Sequence, residues 1–270
     1  MTPLTRRALL ATATSAAMAS TAAAFVLVDV ASGRMLRSQR LEVAERRFAR
    51  PGSILKPFVL LSLLESRAIR TSERFLCEGT QLRVAGRNLT CTHPLTGTPL
   101  DPSQALAYSC NSWFASATLR IRPSTLTKTF RRYGFDAVDV APETESRQLQ
   151  ALGLAGTRTS ATILAAAYRQ LALLRLRSDR PDLQPLFSGM ANAAAYGTAQ
   201  LAQLPGAVRV AGKTGSAPAD EGPWLHAWFA GFAPESKPEV AIAVYVEKGT
   251  GGSDAAPVAS EVLHQWFAGR

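Results

Sequence analysis

Ser53 and Lys56 stand three residues apart, and on a helix residues with that spacing share a face. A serine hydroxyl is a poor nucleophile until a neighbour removes its proton. A lysine one turn away can do this when neutral, and burial, a positive helix end and a second cation all lower its pKa toward that state. The pair lies in Arg50-Pro51-Gly52-Ser53-Ile54-Leu55-Lys56-Pro57, where a polar, arginine-rich run gives way to the most apolar stretch of the chain. The spacing alone is a weak signal. A chain with 21 serines and 5 lysines gives roughly 0.4 such matches by chance, and the bland alternative is a serine cap beside a solvated lysine.

Two further groupings could complete such a site. In Tyr108-Ser109-Cys110-Asn111 a second hydroxyl can relay a proton to a leaving amine, and the Asn111 amide can hold a substrate peptide bond. The ordinary reading of Ser-x-Asn is a helix cap. Lys213-Thr214-Gly215-Ser216 combines a fixed cation, two hydroxyls and a glycine, which on an edge strand suits an extended peptide ending in a carboxylate. Its backbone N–H groups could form an oxyanion hole with that of Ser53; a basic hairpin is the alternative. Lysine usage adds weight. Of 30 basic residues only positions 56, 128, 213, 237 and 248 are lysine, so two of the five fall in motifs. Arginine does not give up its proton near neutral pH, whereas a suitably placed lysine can.

The elements that must position these residues are partly readable. Phe25–Val30 reads as a strand, Ala31-Ser32-Gly33 as a turn, and Arg34-Met35-Leu36 as the start of a return strand. Residues 54–64 are apolar almost all round, which places that helix inside the protein. Pro57 is compatible only in its first turn, so the helix starts near Ser53. Residues 78–90 read as a hairpin turning at Gly86-Arg87-Asn88. Helices are expected over roughly 102–121, 124–133, 159–176 and 183–200. Strands are expected at 208–211, 224–232 and 240–246, and a closing helix at 253–267. Two strands at the start and three at the end, with helices between, predict an α/β (α+β) fold: one mixed, mainly antiparallel sheet built from both chain ends, packed on helices, with an all-helical subdomain.

The 270 residues, 47% apolar with mean hydropathy near zero, fit one globular domain over 25–270. Residues 1–24, with Arg6-Arg7 and an alanine-rich run ending in Ala22-Ala23-Ala24, read as an export signal, with an uncleaved anchor as the alternative. The formal charge of +10 fits either an arginine-rich surface or attraction to anionic lipid or cell-wall polymers. The scattered basic residues give no nucleic-acid stripe. Cys77 and Cys91 flank the hairpin and are read evenly as a disulfide or as free thiols. No Cys-x-x-Cys or His-Glu-x-x-His run occurs, so no metal or other cofactor is expected, and Cys110, His93, His226 and His264 are read as packing or surface residues.

Taken together and in this order, the three groupings resemble the penicillin-binding transpeptidase family, serine acyltransferases of the β-lactamase-like fold. The likeness continues through Leu152-Gly153-Leu154, Ala161–Tyr168, His226–Pro234, Val244–Glu247 and Gly251-Gly252-Ser253, and is loosest over 115–150. It implies that Ser53 attacks a D-Ala-D-Ala stem peptide of peptidoglycan or a β-lactam ring, and that Lys56 takes the proton. It further implies that Ser109 relays a proton, Asn111 orients the acyl chain, and Lys213 supplies a positive field. Thr214, Gly215 and Ser216 would receive the substrate carboxylate, with the Ser53 and Ser216 N–H groups as oxyanion hole. The implied place is periplasmic or otherwise outside the cytoplasm, with membrane-surface association as an option. D,D-transpeptidase, D,D-carboxypeptidase, β-lactamase and a weakly catalytic binding module are the functions the resemblance admits. A Glu-x-x-Leu-Asn run that would mark a hydrolase is absent; Glu143 and Glu145 lie outside such a run.

Overall fold

The computed structural model describes residues 22–79, 82–95, 97–177 and 179–269. The expected export segment falls almost entirely outside the described residues. Strand β1 (Ala24–Asp29) turns through Gly33 into β2 (Met35–Gln39), and α1 (Leu41–Arg46) follows. Ala24 already pairs with Tyr245, one residue before the expected domain start. A 3₁₀ turn, Gly52–Leu55, leads into α2 (Lys56–Glu65), with Pro57 in the first turn. The short strands β3 (Arg83–Val84) and β4 (Arg87–Asn88) form the expected hairpin. It turns at Ala85-Gly86, whose positive φ angles of 48° and 74° make the tight reversal, so Arg87 and Asn88 belong to the return strand.

Next come α3 (Pro102–Ala107), α4 (Asn111–Ala117) and α5 (Pro123–Arg132). Strand β5 (Asp136–Ala137) pairs with β6 (Thr157–Arg158) around α6 (Thr144–Ala151). The long α7 (Ala161–Arg177) and α8 (Gln184–Ala195) lead to β7 (Ala211–Pro218), β8 (Leu225–Ala233) and β9 (Val240–Val246). A π-helical turn at Gly251–Ala255 opens α9 (Ala256–Ala268). The single helix expected over 102–121 is thus two, broken at Ser109. The first of the three C-terminal strands begins at Ala211 rather than Val208 and carries the whole Lys-Thr-Gly-Ser motif.

The main sheet has the order β2-β1-β9-β8-β7, and every pairing is antiparallel rather than mixed. Both chain ends build it, as expected. Its alternating side chains divide between two cores. Val26, Val28, Trp228, Phe232, Ala243 and Tyr245 face α7 and the larger core, while Phe25, Leu27, Phe229, Ile242 and Val244 face α9. Helices on both faces explain why β9 is apolar throughout and fully buried. Helix α2 runs through the larger core, where Phe58 packs edge-on to Phe135 and Tyr168 at 4.9 and 5.5 Å. Among the described residues no helix is long and apolar enough to cross a membrane.

Candidate active site

The turn that carries Ser53 is clamped from several sides. Tyr168 Oη donates to the carbonyl of Ile54 at 2.9 Å, and Trp228 Nε1 donates to that of Arg50 at 3.0 Å. Gly52 has φ +60° and donates its N–H to Gly153 O at 3.0 Å. A side chain on Gly52 would meet Ser216 O at 2.5 Å, and one on Gly153 would meet Gly52 O at 2.2 Å. Glycine is therefore required at both, and the peptides at 153 and 216 close directly on the residue preceding Ser53. Ser53 itself is partly exposed while Lys56 below it is fully buried. The 3₁₀ geometry eclipses residues i and i+3, which sets Lys56 under Ser53.

Lys56 Nζ donates to Ser109 O at 2.7 Å, Ser109 Oγ at 3.1 Å and Asn111 Oδ1 at 2.6 Å. The three acceptors match the three protons of an ammonium. Among the described residues no hydrogen bond joins Ser53 to Lys56. Ser109 reaches this position because its φ is +55°, a left-handed conformation that costs a non-glycine residue about 1–2 kcal/mol. That kink ends α3 and turns both the hydroxyl and the carbonyl toward Lys56. Asn111 Nδ2 donates to Leu89 O at 2.8 Å, so its amide is held between Lys56 and the hairpin segment. One amide N–H of Asn111 remains for a ligand. Burial lowers the Lys56 pKa to about 8.

Lys213 is also fully buried, and burial followed by the nearby charge of Lys56 holds its pKa well below the ordinary lysine range. It donates to Thr198 Oγ1 and Thr214 O, each at 3.1 Å. Thr214 Oγ1 reaches the same Thr198 hydroxyl at 3.0 Å. Gly215 packs on the Ser53 turn, where a side chain would meet Pro51 O at 2.6 Å. Ser216 is partly exposed, and its Oγ accepts the Gly251 N–H at 3.0 Å.

The eight residues singled out from the sequence therefore fall at one place, between the β7 edge and the α2–α4 layer. Thr198 is a member the motifs did not reveal. Gly197-Thr198 lies outside any regular element, and its position is set by packing: Thr198 N–H donates to Ala107 O at 3.2 Å. His226, buried against Tyr245 and Glu247, and the exposed His264 are packing and surface residues as expected. The cysteines are free, so no disulfide closes the hairpin. Cys77, Cys91, His93 and Cys110, read from the sequence as packing or surface residues or as a candidate disulfide pair, bring their donor atoms within 4.8 Å of one another. Their separation in sequence, 14, 2 and 17 residues, hid this convergence.

The model of the penicillin binding protein transpeptidase domain matches residues 10–264. The peptidoglycan D,D-transpeptidase PbpA of Mycobacterium tuberculosis is 27% identical, over 62% of this chain and 44% of its own length. The chain thus spans less than half the length of the curated relatives it matches. Among solved structures, Pseudomonas aeruginosa PBP2 in complex with WCK 5153 superposes with a TM-score of 0.75 at 20% identity, over 94% of this chain and 73% of that one. The TP domain of Burkholderia pseudomallei penicillin-binding protein 3 gives 0.77 at 20% identity, over 95% and 91%. At these identities the structural likeness establishes the fold.

Proposed function

The chain belongs to the penicillin-binding protein transpeptidase family, and from that premise we propose that it is a peptidoglycan D,D-transpeptidase working through an acyl-enzyme on Ser53. The observation that carries the reading is the Lys56 ammonium bonded to Ser109 and Asn111 directly beneath the partly exposed Ser53. Neutral Lys56 takes the Ser53 proton as Oγ bonds to the penultimate D-Ala carbonyl carbon. The Ser53 and Ser216 N–H groups receive the developing oxyanion. The proton then passes from Lys56 through Ser109 Oγ to the leaving nitrogen, the C–N bond breaks, and D-Ala departs. An acceptor amine attacks the ester, and the released Ser53 oxygen recovers a proton along the same path.

Lys213, Thr214, Thr198 and Ser216 are the groups placed to draw in the terminal carboxylate, with Gly215 keeping the strand edge free of side chain. Asn111 holds the acyl chain by its remaining amide N–H. Glu143 and Glu145 are exposed at the start of α6 and offer no buried base for water, which favours transfer over β-lactam turnover. The substrate places the reaction outside the cytoplasm, in keeping with the export signal read over residues 1–24. Incubation with a D-Ala-D-Ala stem peptide, with and without an acceptor amine, tests the reading. Cross-linked product is expected in excess of hydrolysed product; hydrolysis that ignores the amine would make the chain a carboxypeptidase, and inertness would reject both.

A further inference from the structure

Three cysteines and one histidine that the proposed reaction does not use converge behind the second motif. The donor atoms of Cys77, Cys91, His93 and Cys110 all lie within 4.8 Å of one another. Cys110 sits between Ser109 and Asn111 and is fully buried, and its Sγ is 3.7 Å from Cys91 Sγ. A disulfide would close that gap to about 2.05 Å. Two thiolates each about 2.3 Å from a tetrahedral zinc ion stand roughly 3.8 Å apart. The observed separation is that of an edge of a coordination tetrahedron.

His93 points to a ligand independently. Its Nδ1 lies 2.9 Å from the carbonyl of Pro94, and a carbonyl can only accept, so Nδ1 carries the proton and Nε2 the lone pair. Nε2 is buried and has no hydrogen-bond partner. An orphaned acceptor of this kind is costly unless something satisfies it. An Nδ1–H held by a backbone carbonyl is the contact that orients a metal-binding imidazole. Stacking on Tyr108, with ring centroids 5.6 Å apart, fixes the ring plane. The sulfurs are oriented in the same way, since Cys110 Sγ accepts the Trp113 N–H and Cys91 Sγ the Ser112 N–H, each at 3.4 Å.

We propose that Cys77, Cys91, His93 and Cys110 bind one zinc ion and fasten the 77–93 segment to the second motif. Three soft thiolates and one imidazole in a closed tetrahedral set match zinc, and four protein ligands leave no open position for catalysis. On binding, the three thiol protons pass to solvent and the imidazole enters neutral, giving a site of net charge −1. The fastened segment contains Leu89, whose carbonyl holds Asn111, and Asn111 in turn holds Lys56. The ion is thus a positioning device for Ser109 and Asn111.

Elemental analysis of the full chain, purified under reductant without a histidine tag, tests the proposal. One zinc per chain is expected, and cobalt substitution should give thiolate-to-cobalt charge-transfer absorption with intense tetrahedral bands. Cys77→Ser and His93→Ala should each weaken zinc binding by more than the ~10–100-fold that loss of an outer partner costs. His264→Ala, exposed on α9, should keep the metal. Chelation of the wild-type chain covers the case of variants that do not fold: the melting temperature should drop and be restored by zinc. Substoichiometric zinc, another metal in its place, a melting temperature indifferent to zinc, or an intact mass two protons short in fresh protein would each overturn the site.

Discussion

Lys56 presents three protons to three acceptors, so the charged form rests comfortably in the site, yet the chemistry needs the neutral one. Burial brings its pKa down to about 8. A base is active above its pKa, so the acylation rate is expected to rise with pH and level off above about 8. Stopped-flow acylation by a chromogenic β-lactam checks this, and a rate that falls through that range would contradict it. Lys56→Arg should slow acylation by about 10²–10⁴-fold at every pH, because a guanidinium does not deprotonate. Thr198 gives a second prediction at this scale. Its hydroxyl serves both Lys213 and Thr214, so Thr198→Val should cost about 1–3 kcal/mol of stability and raise KM for substrates with a free carboxylate. Denaturant melts and carboxylate-amide substrate pairs measure the two effects.

The elements matter through how closely they approach one another. Gly153, at φ +70°, lies against Gly52 so tightly that a methyl group would meet Gly52 O at 2.2 Å. Gly153→Ala should therefore cost about 1–3 kcal/mol and push the Ser53 turn aside. A displacement near 1 Å is enough for a ~10²-fold loss in acylation rate, readable with fluorescent penicillin. What the sequence disclosed of these elements follows from apolar pattern. The all-round apolar run of α2 and the unbroken β9 were legible because burial writes itself into composition. The break at Ser109 was not, since Tyr108-Ser109-Cys110-Asn111 contains neither glycine nor proline and its left-handed residue is imposed by the contact with Lys56. The start of β7 was misplaced for a related reason: Ala211–Ser216 has no apolar alternation, because Lys213 and Gly215 stand on one face and Gly212, Thr214 and Ser216 on the other. The grouping of the eight candidate residues was legible from motif order, whereas Thr198 and the cysteine–histidine cluster depend on chain segments that meet only after folding.

The molecule as a whole is a five-stranded sheet built from both ends of the described chain, with the groups proposed to react along its β7 edge. His226, on β8, links that sheet to acid stability. It is held between the Glu247 carbonyl and Tyr245 Oη, with Glu221, Asp220, Arg47 and Glu247 around it, and burial depresses its pKa. The unfolded chain then binds the proton first as pH falls below about 6.5, so stability is present above that value and is lost as pH drops toward the depressed folded value. Melting temperatures between about pH 7 and 5 should fall for the native chain and fall less for His226→Gln. The central claim is tested most directly on the intact molecule, by mass spectrometry after mixing with benzylpenicillin. The account predicts a long-lived adduct equal to one whole benzylpenicillin, located on the peptide containing Ser53 and absent from a folded Ser53→Ala chain. No adduct at saturating β-lactam, or an adduct that survives in Ser53→Ala, would contradict it.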